Sequence, residues 1–281
     1  MHTSPARRQF AHLIRQPDPQ VPLAATALAI AWEDQGGPAP QASLERLEAL
    51  TRMAAERLGP QAGVAARAAL LSAFLFREVG FYGDPGCYDH PDPANSHLDR
   101  VLERRTGLPI MLALIYLELG WRLGLPVHGV ALPGHFIVRV ATPEGDLLLD
   151  PFRGGATWTM ADCTRQIASF YGPPSPELVN VIMAPPGRGA ILVRILRNLK
   201  QAYLARDDTA RALTAVDRLL MLDRSDPTEL RDRGLLRARL GQIHAALEDL
   251  EQYARQHPAA ADLTEVRSLA RELAGQVTPR N

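Results

Sequence analysis

The residues with the clearest chemical potential are a histidine and an aspartate on two neighbouring strands of a predicted hairpin. His135 follows Pro133-Gly134 and opens a run of apolar and β-branched residues, and Asp150 ends the next such run. An antiparallel pairing of the two runs places the imidazole and the carboxylate roughly opposite each other. An aspartate that accepts from one ring nitrogen fixes the tautomer of a histidine that serves as a general base.

The third member of such a triad, a nucleophile near the start of the preceding helix, is missing. At that place the chain reads Gly107-Leu108-Pro109, and proline has no group that can be deprotonated. Proline suits the first turn of a helix, where its missing N–H costs no hydrogen bond. The sequence at Pro109 therefore preserves the helix start and excludes covalent catalysis from that position.

Three other hypotheses for these residues stay open. Cys87, in a loop before the helix, is an alternative nucleophile if it approaches His135, and the protein is then an active cysteine-type hydrolase or acyltransferase. A structural role, in which His135 ties a loop to the sheet, explains the histidine equally well. The cleft could also hold a small peptide or amide without covalent chemistry, with His135 and Arg139 as polar contacts.

Composition limits the classes of partner. The chain has 281 residues, with 31 basic and 31 acidic side chains, so no long-range field attracts nucleic acid or an anionic membrane. We expect neither as a partner, although local patches stay possible. No stretch approaches the roughly 20 apolar residues that span a bilayer. Two cysteines far apart in sequence fit a reducing, cytoplasmic setting.

No cofactor or metal is expected. Neither Gly36-Gly37 nor Gly154-Gly155 lies between a strand and a helix that continues with Lys-Ser or Lys-Thr, so both lack the pattern of a phosphate loop. A metal site is conceivable from the acidic loop and its histidines, but a solvated loop explains them better because no zinc signature is present. Those residues are Asp89, His90, Asp92 and His97.

Periodicity predicts an all-helical start and a mixed core. Residues 1–90 are predicted as helices that cover a core at 91–175, in which Asn95 or Ser96 caps a helix that begins near His97. A buried helix is predicted from Pro109 to Leu123. Strands are predicted at Val127–Leu132, Phe136–Val140 and Leu147–Asp150. The proline-rich residues 176–189 are predicted as a linker.

Residues 190–281 are predicted as helical repeats. Aligning Ala212 with Ala246 and Val216 with Leu250 gives an offset of 34 residues, the period of tetratricopeptide helix pairs. Stacked pairs present an extended surface, which favours a protein or peptide partner. The candidate contact residues are Asn198, Gln201, Arg231 and Arg239.

Three motifs in order, followed by these repeats, resemble the bacterial SirB-like family. They are N-S-H-L-D-R-V-L-E-R-R-T-G-L-P at 95–109, P-G-H-F-I-V-R at 133–139 and L-D-P-F-R-G-G at 149–155. Members join a transglutaminase-like core to a short repeat domain, and the resemblance covers about residues 30–275. It implies an α+β, predominantly helical fold with a papain/transglutaminase-like core and a C-terminal tetratricopeptide repeat domain.

The resemblance also implies a lost activity. In the wider transglutaminase-like superfamily G-x-C opens the central helix, a histidine begins one strand and an aspartate ends the next. Here His135 and Asp150 match, and the cysteine position falls on Pro109. Some SirB-like members are described as regulators of transcription or virulence. We therefore expect a catalytically impaired protein with an interaction or regulatory role.

Overall fold

The computed structural model describes residues 4–59, 62–87 and 89–277. Its helices are α1 (Pro5–Leu13), α2 (Leu23–Gln35), α3 (Gln41–Leu58), α4 (Val64–Ala73), α5 (Leu98–Arg104), α6 (Pro109–Arg122), α7 (Met160–Tyr171), α8 (Pro176–Met183), α9 (Arg188–Leu204), α10 (Thr209–Leu222), α11 (Pro227–Arg239), α12 (Ile243–Gln256) and α13 (Leu263–Val277). Its strands are β1 (Tyr82–Gly83), β2 (Thr106–Gly107), β3 (Val127–Val130), β4 (Ile137–Val140), β5 (Leu147–Asp150) and β6 (Ala156–Trp158). The predicted α+β, predominantly helical fold is confirmed.

The centre of the first part of the fold is α6. It begins with Pro109 at its first helical position, as predicted, and every residue from Pro109 to Gly120 is buried. The N-terminal helices α2, α3 and α4 contact α6, and so do strands β3 and β4. A helix that is apolar all round must be covered on all sides, so the N-terminal helices and the sheet serve as that cover.

The sheet that packs on α6 has four antiparallel strands in the order β3-β4-β5-β6. Gly120 lets α6 approach β3 closely, since a Cβ there would lie 2.7 Å from a methyl carbon of Val127. Other sheet residues pack with α7 and α8 in a second apolar cluster. That cluster contains Val130, Leu132, Ile137, Leu148, Trp158, Cys163, Ile167 and Met183.

A helix replaces part of the predicted linker at 176–189. In α8, Ser175 accepts a hydrogen bond from the backbone N–H of Leu178 at 3.3 Å, and Pro176 occupies the first turn. Val179 and Ile182 pack against the second apolar cluster. The prolines here start and flank a helix, because a proline at the first helical position costs no hydrogen bond.

The predicted cap of the next helix is wrong. Helix α5 begins at Leu98, its N-cap residue is His97, and no side chain caps it. Asn95 is buried and donates from Nδ2 to Asp84 at 2.6 Å, while its carbonyl accepts from the N–H of Leu108 at 3.0 Å. Asn95 thus ties the loop after β1 to the residue that precedes α6.

The helices after α9 form the predicted repeats. Helices α10 and α12 begin at Thr209 and Ile243 and end at Leu222 and Gln256, an offset of 34 residues at both ends. The chain forms two compact units, divided between Ile195 and Leu196 inside α9. Within the three described ranges, no single helix has the length and apolarity to cross a membrane.

Two helical glycines in the repeats offer a matched test of packing. A Cβ at Gly234 of α11 would lie 2.7 Å from Cδ2 of Leu250 in α12, while a Cβ at Gly275 of α13 would meet no atom within 4 Å. We expect Gly234→Ala to lower the free energy of unfolding by about 1–3 kcal/mol through overpacking. Gly275→Ala should raise it by up to about 1 kcal/mol because alanine favours helix.

Chemical denaturation followed by far-ultraviolet circular dichroism checks both values. Equal effects of the two substitutions would contradict this close packing of α11 on α12.

Candidate functional site

The structure brings His135 and Asp150 together. Nε2 of His135 lies 2.9 Å from Oδ2 of Asp150, and both side chains are buried. With Nε2 bound to the carboxylate, Nδ1 is the ring nitrogen left to accept a proton from elsewhere. No described residue forms a hydrogen bond with Nδ1. The pair has the geometry of a base and the carboxylate that orients it.

Asp150 also organises the chain that follows it. Its Oδ1 accepts from the backbone N–H groups of Phe152 at 3.0 Å and Arg153 at 3.3 Å, which caps the short 3₁₀ helix Pro151–Arg153. The side chain is fully buried, so these hydrogen bonds replace the water that a carboxylate otherwise needs. Asp150 therefore has a structural role whether or not any catalysis takes place.

His135 lies in a turn, not in the strand. Its backbone N–H donates to Leu132 at 3.2 Å, and Gly134 has a φ of 64°, as the third residue of a type II turn requires. Strand β4 consequently begins two residues after His135, at Ile137. The register pairs Val138 with Leu149, so the prediction that His135 lies opposite Asp150 is corrected to a contact along the end of the sheet.

Helix α7 fixes this turn from the side. Nε2 of Gln166 donates to the carbonyl of Pro133 at 2.8 Å. The ring of Phe170 covers Gly134 so closely that a Cβ there would lie 2.5 Å from Cζ. Because the turn is held at two points, the position of the imidazole is set by the helix packing as well as by Asp150.

Aromatic rings enclose the imidazole. Trp158 stacks on His135 with ring centroids 5.3 Å apart and an angle of 13° between the planes, and Phe152 meets it edge-on at 5.8 Å. The guanidinium of Arg153 lies over Trp158 at 5.5 Å, and its Nε is 3.7 Å from Asp150. The Arg153 side chain is mostly exposed and is the charged group at the rim of the site. Sequence analysis missed both Trp158 and Arg153.

Pro109 is the first residue of α6 and is buried. The helix contacts the 3₁₀ segment that follows Asp150, and it also contacts β4. Its first-turn position is where the sequence pattern places the nucleophile. A pyrrolidine ring there offers neither a thiol nor a hydroxyl.

Neither cysteine is an activated thiol. Burial, together with the charges of Asp84 and Asp89, raises the pKa of Cys87 to about 11. Burial and the charge of Asp162 raise the pKa of Cys163 to about 11 as well. In the part of the chain that the structure describes, no hydrogen bond joins Cys87 to His135. The alternative nucleophile weighed from the sequence is thus not brought to the base.

Other predicted site residues lie apart from the pair. Arg139 is 3.6 Å from Asp146 on the hairpin, and no described hydrogen bond or ion pair links it to His135 or Asp150. The residues weighed as a metal set do not converge, since His97 contacts Asp34 at 3.2 Å and Asp92 contacts Arg104 at 2.9 Å. Across the described ranges, no group of at least three His, Cys, Asp or Glu side chains could hold a metal ion.

The candidate contact residues of the repeat unit divide into two groups. Arg231 pairs with Asp232 at 2.8 Å and with Asp262 at 2.6 Å, so its charge is already used within the fold. Gln201 and Arg239 are exposed, and Asn198 is half-buried. Gln201 and Arg239 therefore remain the more accessible candidates.

Sequence analysis also missed a groove between α12 and α13. This groove of about 590 Å³ has small apolar residues such as Ala254 and Ala270 in its lining, together with Arg255, Arg267 and Arg271. The available signal was the spacing of Arg267 and Arg271, because residues four apart share one face of a helix. We call it the arginine groove.

Removing the Asp150 carboxylate should destabilise the first unit strongly. We expect Asp150→Ala to lower the free energy of unfolding by about 3 kcal/mol, because the imidazole and two backbone N–H groups lose their acceptor. Tryptophan fluorescence in a urea titration measures it, since Trp32, Trp121 and Trp158 all lie in the first unit. The matched control is Asp146→Ala at an exposed carboxylate, which should change stability by less than about 0.5 kcal/mol. Equal effects would refute the structural role of Asp150.

Comparison with known proteins supports the two-part organisation. A family model of the transglutaminase-like superfamily matches residues 41–197, and a tetratricopeptide repeat model matches residues 199–271. No solved structure matches significantly.

Relatives with the same extent occur in several bacteria. The chain is 35% identical to a UPF0162 protein of Xylella fastidiosa over 89% of both chains. It is 31% identical to Protein SirB1 of Salmonella typhimurium, over 76% of this chain and 78% of that one. The UPF0162 protein YchA of Escherichia coli is 28% identical over the same shares. These matches and the fold show that the chain belongs to the transglutaminase-like superfamily, in the branch of SirB1 and the UPF0162 proteins.

Proposed function

We propose that this protein is a catalytically silent member of its superfamily that binds a protein partner through its repeat unit and acts as a regulatory module. The observation that carries the proposal is Pro109 at the start of α6, in a chain that retains the His135–Asp150 pair. A base without a nucleophile cannot begin acyl transfer by the covalent route. The pair then serves to hold a shape.

The state of the two thiols supports the same conclusion. With pKa values of about 11 for Cys87 and Cys163, only about one thiol in 10⁴ is a thiolate at pH 7. The chain has no other cysteine. Because the thiolate is the nucleophile in cysteine-dependent catalysis, a hydrolase or acyltransferase that uses Cys87 is disfavoured.

The repeat unit supplies the surface for a partner. Tetratricopeptide units commonly bind other proteins, and stacked helix pairs do so without any catalytic residue. The arginine groove contains three guanidinium groups and one carboxylate, Glu251, so an acidic segment of the partner complements it best. The zero net charge of the chain favours a protein over nucleic acid or membrane. Two unpaired thiols fit a cytoplasmic location.

Restoring a thiol at the start of α6 tests the assignment of the lost nucleophile. We expect Pro109→Cys to create a thiol that reacts with iodoacetamide at pH 7 at least about tenfold faster than Cys87 and Cys163, because the imidazole of His135 lowers its pKa. Peptide mapping by mass spectrometry identifies the alkylated residue. The control, Pro109→Cys with His135→Ala, should lose most of this rate. Equal rates with and without His135 would show that Pro109 does not occupy the nucleophile position.

Partner capture from a bacterial lysate tests the role of the repeat unit. The variant Arg267→Glu with Arg271→Glu reverses two charges of the arginine groove, and we expect it to weaken capture of an acidic partner about tenfold or more. Gln201→Glu with Arg239→Glu tests the surface predicted from sequence. The matched control is Arg165→Glu, an exposed arginine in the first unit.

His135→Asn separates this proposal from binding in the cleft. We expect it to retain every partner that the wild type captures. Loss of partners by His135→Asn, with no loss by either pair of repeat variants, would contradict the proposal.

A further inference from the structure

A second cavity lies in the first unit, and its lining does not include His135, Asp150 or Pro109. It has a volume of about 390 Å³ and is formed by α3, the segment Phe74–Phe81 and the end of α5. Its apolar lining consists of Leu50, Met53, Phe74, Val79, Phe81 and Leu102. Apolar surface of this extent, in a cavity of ligand size, can bury a small organic group.

Arginines surround this apolar floor. Arg46, Arg57 and Arg105 line the cavity, and Glu78 is the one carboxylate in the lining. Arg57 is already fixed, because its Nε is 2.6 Å from Glu78 and its NH1 is 2.8 Å from the carbonyl of Met53. Its guanidinium also lies over the ring of Phe74 at 4.9 Å. Glu78 thus neutralises Arg57.

The other two guanidinium groups have no anion to balance them. Within the described ranges, no ion pair and no side-chain hydrogen bond involves Arg46 or Arg105, and both residues are exposed. Most charged residues of this protein have a partner, and its net charge is zero. Two unbalanced positive charges at the edge of an apolar cavity therefore complement a ligand with an anionic head and an apolar body.

Unusual backbone shapes this cavity. Residues Phe74–Glu78 form a π-helical turn that continues α4, and such turns often occur at functional sites. Arg105 has a φ of 60°, which costs energy for any residue other than glycine. Its N–H donates to Val101 at 2.8 Å and its carbonyl accepts from Tyr82 at 2.9 Å. The strained residue that carries one of the two unbalanced arginines is thus held by the fold.

We propose that this cavity binds a small amphipathic carboxylate, such as a medium-chain fatty acid. The carboxylate pairs with Arg46 and Arg105, and the hydrocarbon chain lies on the floor formed by Leu50, Phe74 and Phe81. A sugar or nucleotide fits less well, because its hydroxyl and amide groups would find no partners on this floor. The site is independent of the function proposed for the repeat unit, so either can fail without the other.

Calorimetric titration of the full chain with octanoate tests the proposal. We expect saturable binding with one site per chain, and binding at least about tenfold weaker for octanamide, which has the same chain length and no charge. Affinity should also fall as salt increases, because the arginines are exposed.

Three variants on or near the cavity connect the binding to its structure. Arg46→Gln and Arg105→Gln should each weaken octanoate binding about tenfold. Arg52→Gln, which removes an exposed arginine of α3 that does not line the cavity, is the matched control and should bind as the wild type does. Met53→Trp fills the cavity from its exposed edge and should abolish binding while the circular dichroism spectrum stays that of the wild type.

Three results would overturn the proposal. They are the absence of saturable octanoate binding by the folded wild type, equal affinity for octanoate and octanamide, and a loss in Arg52→Gln as large as that in Arg46→Gln. The last two would indicate nonspecific adsorption of a detergent-like molecule.

Discussion

The first unit depends on the burial of α6. Residues Pro109–Gly120 are buried on every side, so the helix is stable only when the N-terminal helices and the sheet cover it together. Gly120 brings the sheet close enough for Val127 to pack on the helix. The same packing places the helix start beside the segment that follows Asp150. The position of the ancestral nucleophile is therefore a consequence of core packing, and it is kept when the nucleophile is lost.

This dependence explains why an imidazole–carboxylate pair persists in a protein that lacks a thiol. Asp150 caps the Pro151–Arg153 segment and orients His135 with one carboxylate. Trp158 covers the imidazole, and α7 holds the turn before it. Losing the pair would leave buried polar groups without partners. Losing the cysteine costs little, because proline is well suited to the first turn of a helix.

Local signals in the sequence predicted much of this fold. The apolar run after Pro109, the hairpin runs that end at Val140 and Asp150, and the 34-residue offset each reflect a local periodicity. Features that depend on distant contacts were not predicted: the π-helical turn, the contact of His97 with Asp34 at 3.2 Å, and the stacking of Trp158 on His135. Helix α8 was missed although Ser175-Pro176 is a recognisable helix start, because the surrounding prolines suggested a loop.

The most direct test of a fold that holds but does not react is the alkylation of the wild-type protein across pH. Iodoacetamide labelling followed by intact-mass spectrometry should show almost no adduct at pH 7. Adducts should increase only as the pH approaches the pKa of about 11 of Cys87 and Cys163, and His135→Ala should give the same profile. An adduct that forms rapidly at pH 7 and disappears in His135→Ala would contradict the account.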